Sequence, residues 1–345
     1  MTDLSIYRDF KKLRNLTTMR KLFFVVISIT LFGCTNSTYS KRLNPNLMTT
    51  SELLQILSSD SLKGRFPGTV GFEKAADFVE SYMKNLGIKP LINRSYRDTL
   101  SVFDVKSYNV VGILESRKPI NDYILLGAHL DHLKKSNSQT DSIYNGANDN
   151  ASGVVAVLQI AKELKKYKFD KNVIISVFTG EESGRFGSKH LAKRLKNNKI
   201  KLSYVINIDM IGVPLTRSPK SVSMSGYYIS DFAEVSNALL KEAFVLHSDG
   251  YIDDLLMFGR SDNASFYTEY NIPSHTISTY DGDNYKYYHT VQDDFSKLNI
   301  QNMDTIIAKT SKLIVRLLES NSVLTLKRLD EQESEFMRYL SPQYN

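Results

Sequence analysis

The stretch NVIISVFTGEES (Asn172–Ser183) decides the fold. Its first seven residues are an apolar run of strand length, rich in β-branched and aromatic side chains. The run ends in Thr179-Gly180, and two acidic residues, Glu181 and Glu182, follow at once. Carboxylates placed directly behind such a strand predict a functional site at its carboxyl end.

Apolar runs of this kind alternate with helical patterns along most of the chain. Strands are predicted near 108–115, 122–129, 172–179, 202–209 and 272–279. Helices are predicted near 51–58, 72–86, 152–166, 185–197, 230–244 and 300–320. Alternation of strands and helices predicts an α/β fold, with three α-β-α layers around a mixed, mostly parallel central sheet.

Five separated residues along the chain have side chains that can bind a metal. They are His129, Asp149, Glu182, Asp209 and His289, and they lie where short apolar runs end. Two imidazoles and three carboxylates suit two zinc-like ions with nitrogen and oxygen ligands. Glu181 is a spare carboxylate beside one of them, as a metal-assisted hydrolase needs.

Length and charge exclude some classes of protein. The chain has 345 residues, of which 42% are hydrophobic, so one large domain or two small ones are possible. Its net charge is +7, but residues 1–33 carry six basic and two acidic side chains, which leaves +3 for the remainder. So small a surplus does not predict nucleic-acid binding.

The N-terminus has the pattern of an export signal. Basic residues at 20–21 precede the apolar stretch 22–32, which is too short to span a membrane. Gly33 and Cys34, the only cysteine, follow, and this end resembles a bacterial lipoprotein signal in which the cysteine is lipidated. A plain cleavable signal and a buried hydrophobic helix are the alternatives. A single cysteine excludes an intramolecular disulfide.

These features predict the division of the chain. We expect a signal segment at 1–33, of which 1–18 is a mis-assigned start, and a lipoprotein tether at 34–46. One metal-dependent catalytic domain is expected at 47–325, with a C-terminal tail at 326–345. The protein would be exported and lipid-anchored in the cell envelope of a bacterium, at the periplasmic face or the outer surface.

Seven motifs occur in this order along the chain: GRFPGT, GAHLDH, NGANDNASG, FTGEESGRFGS, NIDMIG, GRSDNASF and YYHTVQDD. Together, and in family order, they resemble the co-catalytic di-zinc aminopeptidases of clan MH. That clan also holds aminopeptidase Y, glutamate carboxypeptidases and glutaminyl cyclases. The resemblance covers nearly all of residues 50–320. The implied architecture is the three-layer zinc exopeptidase (phosphorylase/hydrolase-like) fold.

The resemblance implies a role for each candidate ligand. His129 and Asp209 would bind one zinc ion, and Glu182 and His289 would bind the other. Asp149 would bridge the two ions.

Further roles follow from the same resemblance. Glu181 would be the general base, and Tyr288 would help to stabilise the tetrahedral intermediate. Asp131 would orient His129, and Asp262 would lie near the site. Asp293 lies four residues after His289 and is expected from that spacing to hold the loop. Many relatives have histidine where this chain has asparagine at position 263, so no role of that imidazole is carried over.

The predicted function is an aminopeptidase that hydrolyses N-terminal residues from peptides with a hydroxide held by two zinc ions. A glutaminyl cyclase-like transferase with one zinc ion and a non-catalytic surface-binding lipoprotein are the alternatives. The complete ligand set argues against both alternatives. The absence of tryptophan argues further against the cyclase, and the presence of Glu181 argues further against the binding protein. We expect peptide substrates, attachment to a membrane through the anchor, no nucleic acid and a monomer. The tyrosines of 280–288 would form an aromatic substrate wall or a packed loop.

Overall fold

A computed structural model of the chain describes residues 48–92, 94–134, 142–248, 256–320 and 322–327. The predicted signal, Cys34 and the tether therefore lie outside the described residues and remain predictions. Within the ranges given, no helix is long and apolar enough to cross a membrane.

One sheet of nine strands forms the middle of the described chain. Its strands are β1 (Lys89–Pro90), β2 (Arg97–Val102), β3 (Val105–Leu114), β4 (Tyr123–His129), β5 (Asn172–Phe178), β6 (Leu202–Ile208), β7 (Val222–Met224), β8 (Val245–His247) and β9 (Ser274–Ser278). Their order is β1-β3-β5-β4-β6-β9-β7-β8, and β2 pairs with β3. The central strands β5, β4, β6 and β9 are parallel. Antiparallel strands flank them on both sides, so the sheet is mixed, with its parallel part in the centre.

The central strands are buried on both faces, which explains their continuous apolar runs. In β4, Ile124, Leu126 and Ala128 pack into the larger hydrophobic core, whereas Leu125 packs into a second core on the opposite face. Because successive side chains of a strand point to opposite faces, this alternation assigns one core to each face of the sheet. The same alternation recurs in β5 and β6.

Helices cover both faces and complete the three predicted layers. The larger core takes residues from α1 (Thr50–Leu57), α2 (Val70–Asn85), α3 (Gly153–Leu164), α5 (Phe232–Leu240) and α7 (Ile300–Glu319). The second core takes residues from α4 (Phe186–Asn197) and α6 (Asn263–Tyr270). The α-β-α architecture is thereby confirmed.

Local signals explain where the first helices begin and end. The side chain of Thr49 accepts a hydrogen bond from the backbone N–H of Glu52. The carboxylate of Glu52 in turn accepts the backbone N–H of Thr49, which completes a capping box. Thr69 caps α2 in the same way through the N–H of Phe72. Gly87, with φ +69°, follows the end of α2 in a conformation that favours glycine.

The structure adds short elements that the sequence pattern does not predict. Strands β1, β7 and β8 have two or three residues each, too few to show a period of two. The C-terminal boundary also differs from the prediction. Leu326 pairs with Ser230, and the N–H of Lys327 donates to the carbonyl of Ile229 at 2.8 Å. Packed structure therefore extends at least two residues past 325, because the sheet-like pairing continues there.

Candidate metal centre

The site lies where the parallel central strands end. His129 is the last residue of β4 and stands opposite Phe178 at the end of β5. Asp209 directly follows β6, and Glu181 and Glu182 lie just beyond β5. Since parallel strands end at the same edge of a sheet, residues that are far apart in sequence meet here. The structure thus brings the predicted residues together at this edge.

The first group of potential ligands is formed by His129, Asp149 and Asp209. Nε2 of His129 lies 3.3 Å from Oδ1 of Asp149 and 3.5 Å from Oδ1 of Asp209. Asp149 comes from a distorted helical turn, Ala147–Ser152, that precedes α3, and its own backbone is not helical (φ −108°, ψ 95°).

The second group contains Asp149, Glu182 and His289. Nε2 of His289 lies 3.1 Å from Oδ2 of Asp149 and 3.1 Å from Oε2 of Glu182. The two carboxylate oxygens of Asp149 therefore face two different imidazoles, with Oδ1 toward His129 and Oδ2 toward His289. This geometry fits the bridging role that the resemblance implies for Asp149.

The residues fit a pair of zinc ions. Nitrogen and oxygen donors at about 2.0–2.2 Å from a tetrahedral zinc lie about 3.4 Å from one another, close to the separations observed. Oδ1 of Asp209 is buried and lacks a hydrogen-bond partner. Buried polar atoms normally have a partner, and a metal ion would supply it.

In the metal-free state, protons take the place of cations at these ligands. Burial lowers the pKa of His289, but its hydrogen bonds to Asp149 and Glu182 outweigh this and raise the pKa to about 10. Metal binding must displace that proton.

Asp131 has a different contact from the one expected. Its backbone carbonyl, not its carboxylate, is the nearer partner of Nδ1 of His129, at 3.1 Å against 3.9 Å. The carboxylate instead accepts the backbone N–H groups of Glu181 at 3.1 Å and of Glu182 at 3.3 Å. Because two backbone donors point at it, the carboxylate fixes the turn that carries both glutamates.

Glu181 lines a cavity of about 420 Å³ together with the candidate ligands His129, Asp149, Glu182 and Asp209. Its pKa is raised well above the ordinary range by burial, and by repulsion from Asp262, Asp209 and Glu182. Asp262 is buried, and desolvation raises its pKa to about 7, with Asp131 and Asp209 adding repulsion. A carboxyl with a raised pKa next to a candidate metal site is suited to proton transfer.

Asp293 holds the backbone that leads into Asp149. Its Oδ1 accepts the N–H of Asn148 at 2.8 Å, and its Oδ2 accepts that of Asp149 at 3.0 Å. The hydroxyl of Tyr285 donates to Oδ1 at 2.5 Å. The loop after His289 is thus tied to the residue expected to bridge the ions.

The tyrosines of 280–288 divide between the two predicted roles. Tyr280 and Tyr288 line the cavity, and the ring of Tyr288 stacks on His289 with 3.8 Å between centroids. Tyr285 is buried and packs with Tyr287 against Met210. The cavity wall also includes Leu215, Leu256, Met257, Arg217 and Arg260.

Several residues around the site make contacts that the sequence does not predict. Ser261 donates to Oδ2 of Asp209 at 2.8 Å. His132 contacts Glu182 with its ring, and Asn150 accepts the N–H of Met210 next to Asp209. Arg65, in the motif GRFPGT, is buried and donates to the carbonyls of Leu57, Leu130, Asn145 and Gly146. The only signal in the sequence is that these residues lie within the motifs of the family resemblance.

Comparison with known proteins tests the resemblance. The model of Peptidase family M28 matches residues 109–314. A probable zinc metalloprotease of Pyrenophora tritici-repentis is 31% identical over 144 residues, which are 42% of this chain and 33% of that protein. The chain thus spans about a third of the length of this curated relative.

Two solved structures have a similar fold. The LapA aminopeptidase of Legionella pneumophila has a TM-score of 0.61 and 20% identity, covering 82% of this chain and 76% of that one. Porphyromonas gingivalis glutaminyl cyclase has a TM-score of 0.62 and 17% identity, covering 78% of this chain and 97% of that one. Such identities show the fold alone. The match to the family model covers more than half of the chain, and with it the resemblance is confirmed: the chain belongs to peptidase family M28.

Proposed function

We propose that the chain is a zinc-dependent aminopeptidase that removes N-terminal residues from peptides. The observation that carries the proposal is the position of Asp149, whose two oxygens face His129 and His289. A carboxylate shared by two sets of ligands suits a two-metal hydrolase. Membership of the peptidase family and the zinc metalloprotease relative support the hydrolytic chemistry.

Two zinc ions at these ligands would supply a water of lowered pKa and polarise the scissile carbonyl. Glu181 belongs to neither group of ligands, so its carboxylate is available for proton transfer. Its raised pKa allows it to accept a proton from the attacking water, hold it and deliver it to the leaving amine.

Tyr288 is the candidate for stabilising charge on the substrate. Burial, and repulsion from Asp149, Glu182, Asp209 and Glu181, raise the pKa of its hydroxyl above the ordinary value. The hydroxyl is therefore protonated at neutral pH. It can donate a hydrogen bond to the carbonyl oxygen as negative charge develops there.

The cavity also supports the substrate class. Its floor carries the carboxylates of Asp149, Glu181 and Asp209, which favour a cationic α-amine. Its walls include Met210 and Tyr280, which favour an apolar first side chain. N-acetylation removes the charge of the amine and adds bulk, so acetylated peptides should be cleaved far more slowly.

The test combines metal analysis with three peptides. Zinc-loaded protein should contain two zinc ions per chain. It should release leucine from a free peptide and leave the N-acetylated peptide largely intact. Conversion of an N-terminal glutamine to a ring without chain shortening, with the leucine peptide untouched, would instead show a cyclase. Two bound zinc ions without reaction on any peptide would support a binding protein.

A further inference from the structure

We propose that His132 is a positioning residue for the zinc ligand Glu182. Its imidazole donates a hydrogen bond from Nδ1 to Oε1 of Glu182 and leaves Oε2 for the metal, beside His289. The inference rests on the proposed function only in that it assumes that zinc binds at Glu182.

The two oxygens of Glu182 face different histidines. Nδ1 of His132 lies 2.9 Å from Oε1, whereas Nε2 of His289 lies 3.1 Å from Oε2. An ionised carboxylate only accepts hydrogen bonds, so the partner on His132 must be an N–H group. That bond assigns the tautomer of His132 with hydrogen on Nδ1.

The ring of His132 is held in place on several sides. The residue is fully buried, and its backbone N–H points to the carbonyl of Arg65 at 3.4 Å. Gly146 has φ +55°, and a Cβ atom there would lie 2.6 Å from Cδ2 of His132. A glycine is therefore needed for this close approach, which closes one side of the ring.

The distances distinguish a positioning role from a ligand role. Nδ1 of His132 is 3.8 Å from Oδ2 of Asp149, whereas Nε2 of His289 is 3.1 Å from the same atom. His289 therefore lies equally near both carboxylates of the second group, whereas His132 lies nearer to Glu182 than to Asp149. A nitrogen that carries hydrogen also has no lone pair for a metal.

The physical consequence concerns metal affinity. A carboxylate ligand that accepts a fixed hydrogen bond keeps one oxygen aimed at the metal and loses less freedom on binding. Loss of such outer partners typically costs about 10–100-fold in metal affinity. Asp131 holds the backbone of Glu182, and His132 would hold its side chain.

The experiment measures both zinc affinities by chelator competition in the wild-type protein, His132→Leu and His132→Asn. Leucine removes the donor, whereas the asparagine amide can place an N–H near the position of Nδ1. We expect the leucine variant to bind one zinc ion about 10–100-fold more weakly and the other within about threefold of wild type. The asparagine variant should restore the weakened site to within about threefold. Thermal unfolding of the metal-free variants controls for misfolding.

Two outcomes overturn the inference. Wild-type affinities in His132→Leu would show that the contact does nothing for the metal. If His132→Asn loses a zinc ion while His289→Asn keeps both, His132 is itself the ligand.

Histidine ring ¹⁵N spectra of the zinc-loaded wild type give a readout that needs no folded variant. His132 should carry hydrogen on Nδ1, and a metal-bound Nδ1 would contradict the inference. None of these measurements uses substrate. Failure of the peptide assay would therefore count against the proposed function and not against the role of His132.

Discussion

Oδ2 of Asp293 accepts the backbone N–H of Asp149 at 3.0 Å, across 144 positions of sequence. The peptide that carries the candidate bridging ligand is thus held by the loop that also presents His289. This contact links the geometry of both proposed metal positions to one buried carboxylate.

Asp293→Asn should therefore lower the affinity for both zinc ions, because Asp149 belongs to both groups of ligands. An amide in place of the carboxylate offers one acceptor oxygen, so at least one backbone N–H loses its partner. We expect a loss of about 1–3 kcal/mol in the free energy of unfolding. Urea unfolding and zinc competition measure the two effects. Tyr285→Phe is the control, because it removes the donor hydroxyl and leaves the carboxylate in place. Selective loss of a single zinc ion in Asp293→Asn would contradict this view.

Glu181 and Glu182 are adjacent in sequence but should give different variants. Glu181→Gln should retain two zinc ions and lose about 10²–10⁴ or more in kcat, because only proton transfer is removed. Glu182→Gln should lose one zinc ion first. Metal content and turnover of the free leucine peptide distinguish the two. Near-normal turnover in Glu181→Gln would remove that residue from the mechanism.

The sequence predicts the location of a site residue best where that residue follows a regular strand. His129 and Asp209 end strongly apolar strands, so their shared location follows from strand polarity. Asp149 and His289 lie in irregular segments whose meeting is set by tertiary packing. Residue type and placement grouped them with the other candidate ligands, and only the family resemblance predicted which ion each would bind.

The hydrogen-bond partners could not be predicted from the pattern. The carboxylate of Asp131 was expected on His129, yet it accepts two backbone N–H groups from a turn fifty positions away. Neither spacing nor hydrophobic period carries information about such a contact. The short strands β7 and β8 could not be predicted for a related reason, because three residues define no hydrophobic period.

Cys34 gives a prediction that is independent of the site. If the apolar stretch before it is a lipoprotein signal, labelled fatty acid should be incorporated by cells that express the chain. Cys34→Ser should abolish the label, and the mature protein should begin at Cys34. Unchanged labelling of the serine variant, or a mature N-terminus elsewhere, would refute the anchor.

The pKa of Asp262 predicts a pH dependence of stability in the metal-free protein. Burial raises this pKa from 3.8 to about 7, so the folded state binds a proton that the unfolded state releases. The contribution of Asp262 is therefore fully present below about pH 4 and is lost as the pH rises to about 7.

Asp262→Asn removes this titration. Relative to wild type, the variant should gain stability between about pH 4 and pH 7, and the difference should be constant at higher pH. Urea unfolding in the presence of a chelator, repeated across that range, measures the difference. Parallel curves for the two proteins would show that Asp262 does not titrate in this window.

Arg65 gives the sharpest prediction about stability. Its buried guanidinium donates to carbonyls on both sides of the site, at Leu130 and Gly146, and also to Leu57 at the end of α1. Burial lowers its pKa to about 10 despite attraction from carboxylates that include Asp293 and Asp149, so it remains charged at neutral pH. Methionine fills much of the same space but donates no hydrogen bond.

Arg65→Met should therefore leave several buried carbonyls without a hydrogen-bond partner. We expect it to lower the free energy of unfolding by about 3 kcal/mol or more. Arg97→Met is the matched control. Arg97 pairs with Glu73, Asp77 and Glu80 at a half-exposed position, where solvent screens the ion pairs. Arg97→Met should lower the free energy of unfolding by about 1 kcal/mol or less. Urea unfolding of the metal-free proteins compares the two variants directly. If both variants lose the same small amount of unfolding free energy, the buried hydrogen bonds of Arg65 do not hold the strand ends together.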